Sequence, residues 1–117
     1  MQVVVSWSGG KDSCLACYRA MLKGFEVSHL LNFVSSDKKC MSHELDSKLM
    51  VAQSKAIGIP IIQREVTWDT YEDRFKAVMR ELKQMGVEGG VFGDIDVQEH
   101  KDWVDRVCGE VGIIPME

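Results

Sequence analysis

The sequence has no run of lysine and arginine of the kind that marks a nucleic-acid or anionic-membrane surface, and its formal net charge is −4. A direct nucleic-acid role would therefore need a local patch or a second domain. No apolar run approaches the length of a membrane span. The N-terminus, Met1-Gln2-Val3-Val4-Val5, lacks the basic region of a secretory leader. These absences set the expectation of a cytoplasmic chain that works away from membranes. Internal repeats, low-complexity stretches and Pro/Ser-rich linkers are missing too, which leaves one domain over residues 1–117.

The cysteines are few. Cys14, Cys17, Cys40 and Cys108 are expected to be reduced thiols in such a chain, not a disulfide framework. Cys14-x-x-Cys17 has redox or zinc spacing, but no second CxxC and no nearby histidine pair completes a metal site. On a helix the pair reads better as two small core-facing residues. Cys40, in a polar stretch, is the thiol expected at the surface.

What is present is a regular alternation. Short, nearly continuous apolar runs at 3–7, 30–34, 59–62 and 90–92 suit parallel strands covered on both faces. Between them the period lengthens to that of a helix. Leu45, Leu49, Ala52 and Ala56 form one stripe, and Tyr71, Phe75, Val78, Leu82 and Met85 form a second. Trp103, Val107 and Val111 form a third. A further helix over about 12–23 is apolar around most of its surface and is expected to be the most buried. Gly24, Gly58, Gly86 and Gly112 each stand where a helix should stop. Thr70-x-x-Asp73 and Ser42 before Glu44 are candidate N-terminal caps. The order β-α-β-α-β-α-β-α predicts a doubly wound α/β fold, a parallel sheet sandwiched by helices. The chain stops at Ile113-Ile114-Pro115-Met116-Glu117, where the pattern calls for another strand. It reads as truncated after its fourth αβ unit, as a fragment or a naturally short form. The apolar edge so left would invite pairing with a second copy, a homodimer.

The strongest chemical signal is Ser8-Gly9-Gly10-Lys11-Asp12-Ser13, after the first strand and at the opening of the first helix. Two glycines let the backbone turn its N–H groups onto an oxyanion. The helix N-terminus adds its positive end. Lys11 supplies a full charge, and Ser8 and Ser13 supply hydroxyls. The nucleoside-triphosphate loop GxxxxGK[ST] is excluded, because it needs glycine at Val5 and Ser or Thr at Asp12. The dinucleotide fingerprint GxGxxG is absent from this turn. The plainer alternative is a Gly-rich turn with an Asp cap.

Near the end of the fourth run stands Gly93-Asp94. A carboxylate beside a triphosphate is explained as a magnesium partner, or else as an ordinary turn residue; Asp96 is a weaker candidate for the same work. Glu99 and His100 open the fourth helix and could orient substrate or shuttle a proton. Equally, they could serve only the helix terminus and its apolar face. Ser35, Ser36 and Asp37 follow the second strand, where a loop could touch adenine or ribose. Asp37-Lys38-Lys39 otherwise reads as a solvated loop, His43 as a solvated histidine and His29 as structural.

The hexapeptide resembles the SGGxDS signature of the pyrophosphatase-loop ATPases, which cleave ATP between its α and β phosphates. More closely, Ser6-Trp7-Ser8-Gly9-Gly10-Lys11-Asp12-Ser13-Cys14-Leu15-Ala16 resembles the N-terminal, ATP-binding domain of the diphthine–ammonia ligase family. So do Gly93-Asp94-Ile95 with Glu99-His100-Lys101-Asp102-Trp103, the Ser42-His43 pair, and Ala56-Ile57-Gly58-Ile59-Pro60. The likeness covers essentially the whole chain but only about the first half of a typical member; the C-terminal substrate-recognition half, with its Glu-Pro-Leu-Trp-Gly stretch, is absent.

The resemblance implies a Rossmann-like fold of the adenine nucleotide alpha hydrolase kind, with ATP and Mg2+ as cofactors. It implies adenylation of a carboxylate and its conversion by ammonia to an amide, with diphthine on translation elongation factor 2 as acceptor. Ser8, Gly9, Gly10, Lys11, Asp12, Ser13 and Ser35 are then the candidate nucleotide contacts. Asp12 and Asp94 are the candidate metal partners, and Lys11, Asp12, Asp94, Glu99 and His100 the candidate catalytic residues. The rival readings are another adenylating member of the superfamily, such as a tRNA-modifying one, and a non-catalytic nucleotide-binding module that acts with a partner chain.

Overall fold

The computed structural model describes residues 1–7, 11–34, 47–67, 69–92 and 98–116, with the side chains of Lys11, Asp12, Ser47, Gln98, Glu99 and His100 outside that description. The elements run β1 (Gln2–Ser6), α1 (Lys11–Leu22), β2 (Glu26–Val34), α2 (Ser47–Ile57), β3 (Ile61–Glu65), α3 (Tyr71–Gln84), β4 (Val87–Val91), α4 (Gln98–Val111) and β5 (Ile114–Met116). The strands form one parallel sheet in the order β3-β2-β1-β4-β5. This is the doubly wound α/β sandwich expected from the alternation of apolar runs and helical stripes.

Side chains of successive strand residues divide the core in two. Val3, Val5, Trp7 and Leu30 face α1 and α2 with Met50 and Cys17. Val4, Leu31 and Phe33 face α3 and α4, where Phe75, Leu82 and Val107 meet them. The third stripe is confirmed at Val107 and Val111, and the second at Phe75, Val78 and Leu82, while Met85 lies 53% exposed beyond the helix end. All four glycine stops hold, with φ of 86° at Gly24, 85° at Gly58, 100° at Gly86 and 87° at Gly112. At Gly58 the left-handed turn lets both its own N–H and that of Ile59 bond to the Ser54 carbonyl, at 2.9 and 3.2 Å. A side chain there would be strained.

Four expectations are corrected. First, the sheet does not end at its fourth strand. β5 pairs Ile114, Pro115 and Met116 with Gly89, Gly90 and Val91, so the β4 edge is covered there and the open edge on that side of the sheet is β5. Pro115 has no N–H to give to a ladder and is tolerated because β5 is an edge strand. Second, α1 is not the most buried helix. It turns Ser13, Cys17 and Ala20 to the sheet, while Leu15, Tyr18, Met21 and Leu22 are 46%, 59%, 44% and 69% exposed. A helix on a sheet buries one stripe, and here small residues occupy it, however apolar the rest. Cys17 is buried as expected, but Cys14 is exposed.

Third, α2 is rotated from its expected face. Met50 and Ser54 are buried, whereas Leu49, Ala52 and Ala56 point outward. Ser54 donates its hydroxyl to the Ile59 carbonyl at 2.7 Å, which fixes that rotation. Fourth, Thr70 makes no side-chain cap on α3. Its hydroxyl accepts from the Thr67 N–H at 2.9 Å instead. Leu45, Cys40 and the Ser42–Glu44 cap lie outside the described residues.

This packing predicts a thiol order. Burial pushes Cys108 up to about 11 and raises Cys17 as well. With iodoacetamide under native conditions and peptide mapping, Cys14 should be alkylated, with Cys17 and Cys108 protected until denaturant is added. Native labelling of Cys108 at the rate of Cys14 would contradict the described core.

Candidate functional site

β1 leads straight to the hexapeptide, and the structure holds its end firmly. Trp7 is 3% exposed. Its N–H donates to the Leu31 carbonyl at 2.7 Å, its carbonyl accepts from Asn32 Nδ2 at 2.9 Å, and its indole Nε1 donates to Gln53 Oε1 at 3.0 Å. Asn32 is itself buried at 2% and accepts from Gln63 Nε2 at 3.4 Å. The residue before Ser8 is thus tied to β2 by backbone and side chain, to α2 by its ring, and indirectly to β3. Sequence reading did not assign Asn32 this role. The available signal was a polar residue inside the apolar run 30–34, because a buried amide needs partners.

The neighbouring strand ends at the same level. Val5 of β1 pairs with Val91 of β4, and the Phe92 N–H donates to the Met116 carbonyl at 2.9 Å. From β1 the chain crosses to β2 on one side, and from β4 to β5 on the other. The reversal of direction opens between β1 and β4, the position at which doubly wound sheets take ligands. Two helices begin from that edge, α1 at Lys11 and α4 at Gln98. Each presents the positive dipole end of a helix start.

The candidate residues fall as follows. Lys11 and Asp12 open α1, and Glu99 and His100 lie in the first turn of α4. Their side chains are outside the description. Ser13, the third residue of α1, is 2% exposed. Ser8, Gly9 and Gly10 join Trp7 to α1, Ser35 follows the end of β2, and Gly93, Asp94 and Asp96 follow Phe92; these lie outside the described residues, as do Ser36, Asp37 and His43. By chain connection, then, the hexapeptide and the Gly93–His100 stretch leave adjacent strands at one edge. His29 lies on β2, its Nδ1 sharing a hydrogen bond with Ser28 Oγ at 3.0 Å, and burial lowers its pKa. That fits a structural histidine. Among the described residues no His, Cys, Asp and Glu gather in a group that could hold a metal ion. No helix described is long and apolar enough to cross a membrane.

Beneath the α3/α4 side of this edge lies an aromatic floor in which Tyr71, Phe75 and Trp103 of the helical stripes meet Phe33 and Phe92. Phe33, near the end of β2, sits 5.0 Å from Tyr71 and 5.8 Å from Phe75 between ring centroids. Phe92 is 6.0 Å from Phe75, and Trp103 is 5.1 Å from Phe75 in an edge-on contact and 5.6 Å from Tyr71. Tilted and edge-on pairs at these distances are the favourable ones for aromatic quadrupoles. The floor joins the exits of β2 and β4 to the N-terminal two turns of α3 and α4. Over it, Glu72 accepts from Trp103 Nε1 at 3.0 Å and Arg106 Nη2 at 2.7 Å, and pairs with Lys76 at 3.1 Å. Glu110 closes the ring to Lys76 at 2.8 Å and Arg106 at 3.5 Å.

Two outcomes are expected. Asn32→Ala leaves the buried Trp7 carbonyl without its donor and should lower the urea-unfolding free energy by about 1–3 kcal/mol. Arg106 first, then Lys76 and Trp103, hold the Glu72 carboxyl at about 2, below its ordinary 4.5. A depressed acid stabilises the folded state above its unfolded pKa and loses that contribution as pH falls toward its folded one. Stability should therefore decline between about pH 5 and pH 2, and Glu72→Gln should flatten part of that decline in pH-dependent thermal melts.

Comparison with known proteins extends over the full described fold. A model of the family described as the diphthamide synthase N-terminal domain matches residues 1–115. The chain is 24% identical over 138 aligned positions to a diphthine–ammonia ligase of Rattus norvegicus, covering 99% of this chain and 52% of that protein. For the diphthine–ammonia ligase of Danio rerio the figures are 25%, 99% and 54%, and for that of Mus musculus 22%, 99% and 52%. The chain thus spans about half the length of these relatives. With a family model matched from the first strand into the fifth, the chain belongs to the diphthamide synthase N-terminal domain family.

Proposed function

We propose that this chain is the ATP-binding half of an AMP-forming amide ligase of the diphthine–ammonia ligase kind. One observation carries the reading: Ser8-Gly9-Gly10-Lys11-Asp12-Ser13 joins the anchored end of β1 to the start of α1, beside the exit of β4. Family membership supports it, since the relatives bear the name diphthine–ammonia ligase.

In this reading the β and γ phosphates of ATP lie in the hexapeptide. The amides of Gly9 and Gly10 and the hydroxyls of Ser8 and Ser13 donate to phosphate oxygens, and Lys11 neutralises charge. Asp12 and Asp94 offer hard carboxylate oxygens, the donor type that suits Mg2+. The ion, when bound, supplies further neutralisation of the polyphosphate. Ser35, after β2, contacts the nucleoside. A carboxylate of the acceptor attacks the α phosphorus, forming an acyl-adenylate as pyrophosphate leaves. Ammonia then displaces AMP to give the amide. Glu99 and His100, at the start of α4, orient the acceptor or carry the proton that ammonia gives up. Rate comes from positioning and charge stabilisation and needs no covalent protein intermediate. The acceptor is diphthine on translation elongation factor 2, and its recognition draws on what the relatives carry in the other half of their length.

Calorimetric titration with Mg-ATP and with pyrophosphate should show binding of both. Asp12→Ala should weaken each by at least about tenfold, ~1.4 kcal/mol. Where turnover occurs, the products should be AMP and pyrophosphate. A folded chain that binds neither ligand, or that releases ADP and inorganic phosphate, would sink this reading. Binding without AMP formation in the presence of acceptor and ammonia would favour a nucleotide-binding module instead.

A further inference from the structure

The carboxylate of Glu72 does something no local pattern explains. It lies in the first turn of α3 yet takes two hydrogen bonds on one oxygen from α4, at 3.0 Å from Trp103 Nε1 and 2.7 Å from Arg106 Nη2. Its other oxygen meets Lys76 at 3.1 Å on its own helix. Lys76 and Arg106 then share Glu110, so two acids and two bases close a ring across the helix pair. Isolated surface ion pairs contribute little to stability, about 0–1 kcal/mol. Geometry is what this one supplies. Trp103 is wedged against Tyr71 and Phe75 by its ring and held by its N–H at the same time. Any roll of α4 about its axis, or slide along it, would break the indole bond and the Arg106 bond together.

The turn of α4 controlled in this way begins at Gln98 and carries Glu99 and His100, four and three residues before Trp103. Between Phe92, which packs on the same aromatic floor, and Gln98 runs the stretch holding Asp94. We propose that Glu72 is a positioning residue: it sets the rotation and height of the first turn of α4, and with it Glu99 and His100, relative to the cradle at the start of α1. It touches neither nucleotide nor acceptor and acts through Trp103 and Arg106. The inference rests on the reading that Glu99 and His100 serve turnover.

The test compares wild type, Glu72→Ala, Glu72→Gln and Trp103→Phe by hydrogen exchange, calorimetry and AMP formation. Glu72→Gln keeps an acceptor for the indole and gives up the charge; Trp103→Phe keeps the aromatic contact and gives up the donor. In Glu72→Ala and Trp103→Phe, amide exchange over residues 98–104 should rise roughly threefold or more while the sheet stays protected. Glu72→Gln should be partly rescued. Mg-ATP affinity should stay within about twofold, while kcat for AMP formation falls on the order of tenfold to a hundredfold with KM for ATP unchanged. Unchanged exchange over residues 98–104 in Glu72→Ala would overturn the proposal, and so would a loss of protection spread evenly over the sheet. An equal loss of ATP affinity would overturn it too. Absence of AMP formation by wild type would count against the ligase reading alone, since the exchange arm decides on Glu72 by itself.

Discussion

A buried amide, Asn32 on the carbonyl of Trp7, fixes where the chain leaves the sheet, and the rest of the site is arranged around that point. A strand that ends in a glycine pair would ordinarily be free to splay. Here the last strand-side residue is held by three hydrogen bonds reaching β2 and α2, all with at least one buried partner. An unpaired carbonyl at this depth would cost about 1–3 kcal/mol, so the geometry has one low-energy solution. That solution fixes Trp7, the residue from which the chain continues toward the start of α1. A cradle of backbone amides works only if it is organised before its anion arrives, because ordering it on binding would consume the affinity it provides.

The two faces of the sheet then take different parts. On the α1/α2 face the contact stripe of α1 is built from Ser13, Cys17 and Ala20, which lets the helix lie close to β1 and keeps its N-terminus at the strand end. On the α3/α4 face the contacts are large and aromatic, and polar bonds lock the two helices to each other above them. One face sets the distance from strand to helix start; the other sets the angle between two helix starts. Both controls meet at the edge between β1 and β4.

The sequence made some of this legible, and the physics explains the division. The glycine stops at Gly24, Gly58, Gly86 and Gly112 were readable because a left-handed residue is a local requirement. The hexapeptide stands out in the sequence because its residues are consecutive, but Ser8, Gly9 and Gly10 lie outside the described residues. The α3 and α4 stripes were readable because charged residues mark their outer sides. α1 and α2 misled because apolar residues occupy both their sides, so periodicity had no contrast to work with. Leu15 and Leu22 point outward while the sheet takes Cys17 and Ala20. β5 was too short and too interrupted by Pro115 to announce itself, and its strand character comes from pairing with β4. Glu72 and Trp103 are separated by 31 positions, and nothing in local spacing couples them.

The central claim is that the stretch between the anchored end of β1 and the start of α1 receives a polyphosphate. Amide chemical-shift mapping by NMR during titration with magnesium pyrophosphate tests it most directly. The account predicts that the largest saturable changes fall on Trp7 through Ser13, with smaller ones at Gly93 and Asp94, and that Asn32→Ala weakens them. Changes centred on the outer surfaces of α3 and α4, or a folded protein whose amides in residues 7–13 do not respond, would contradict it.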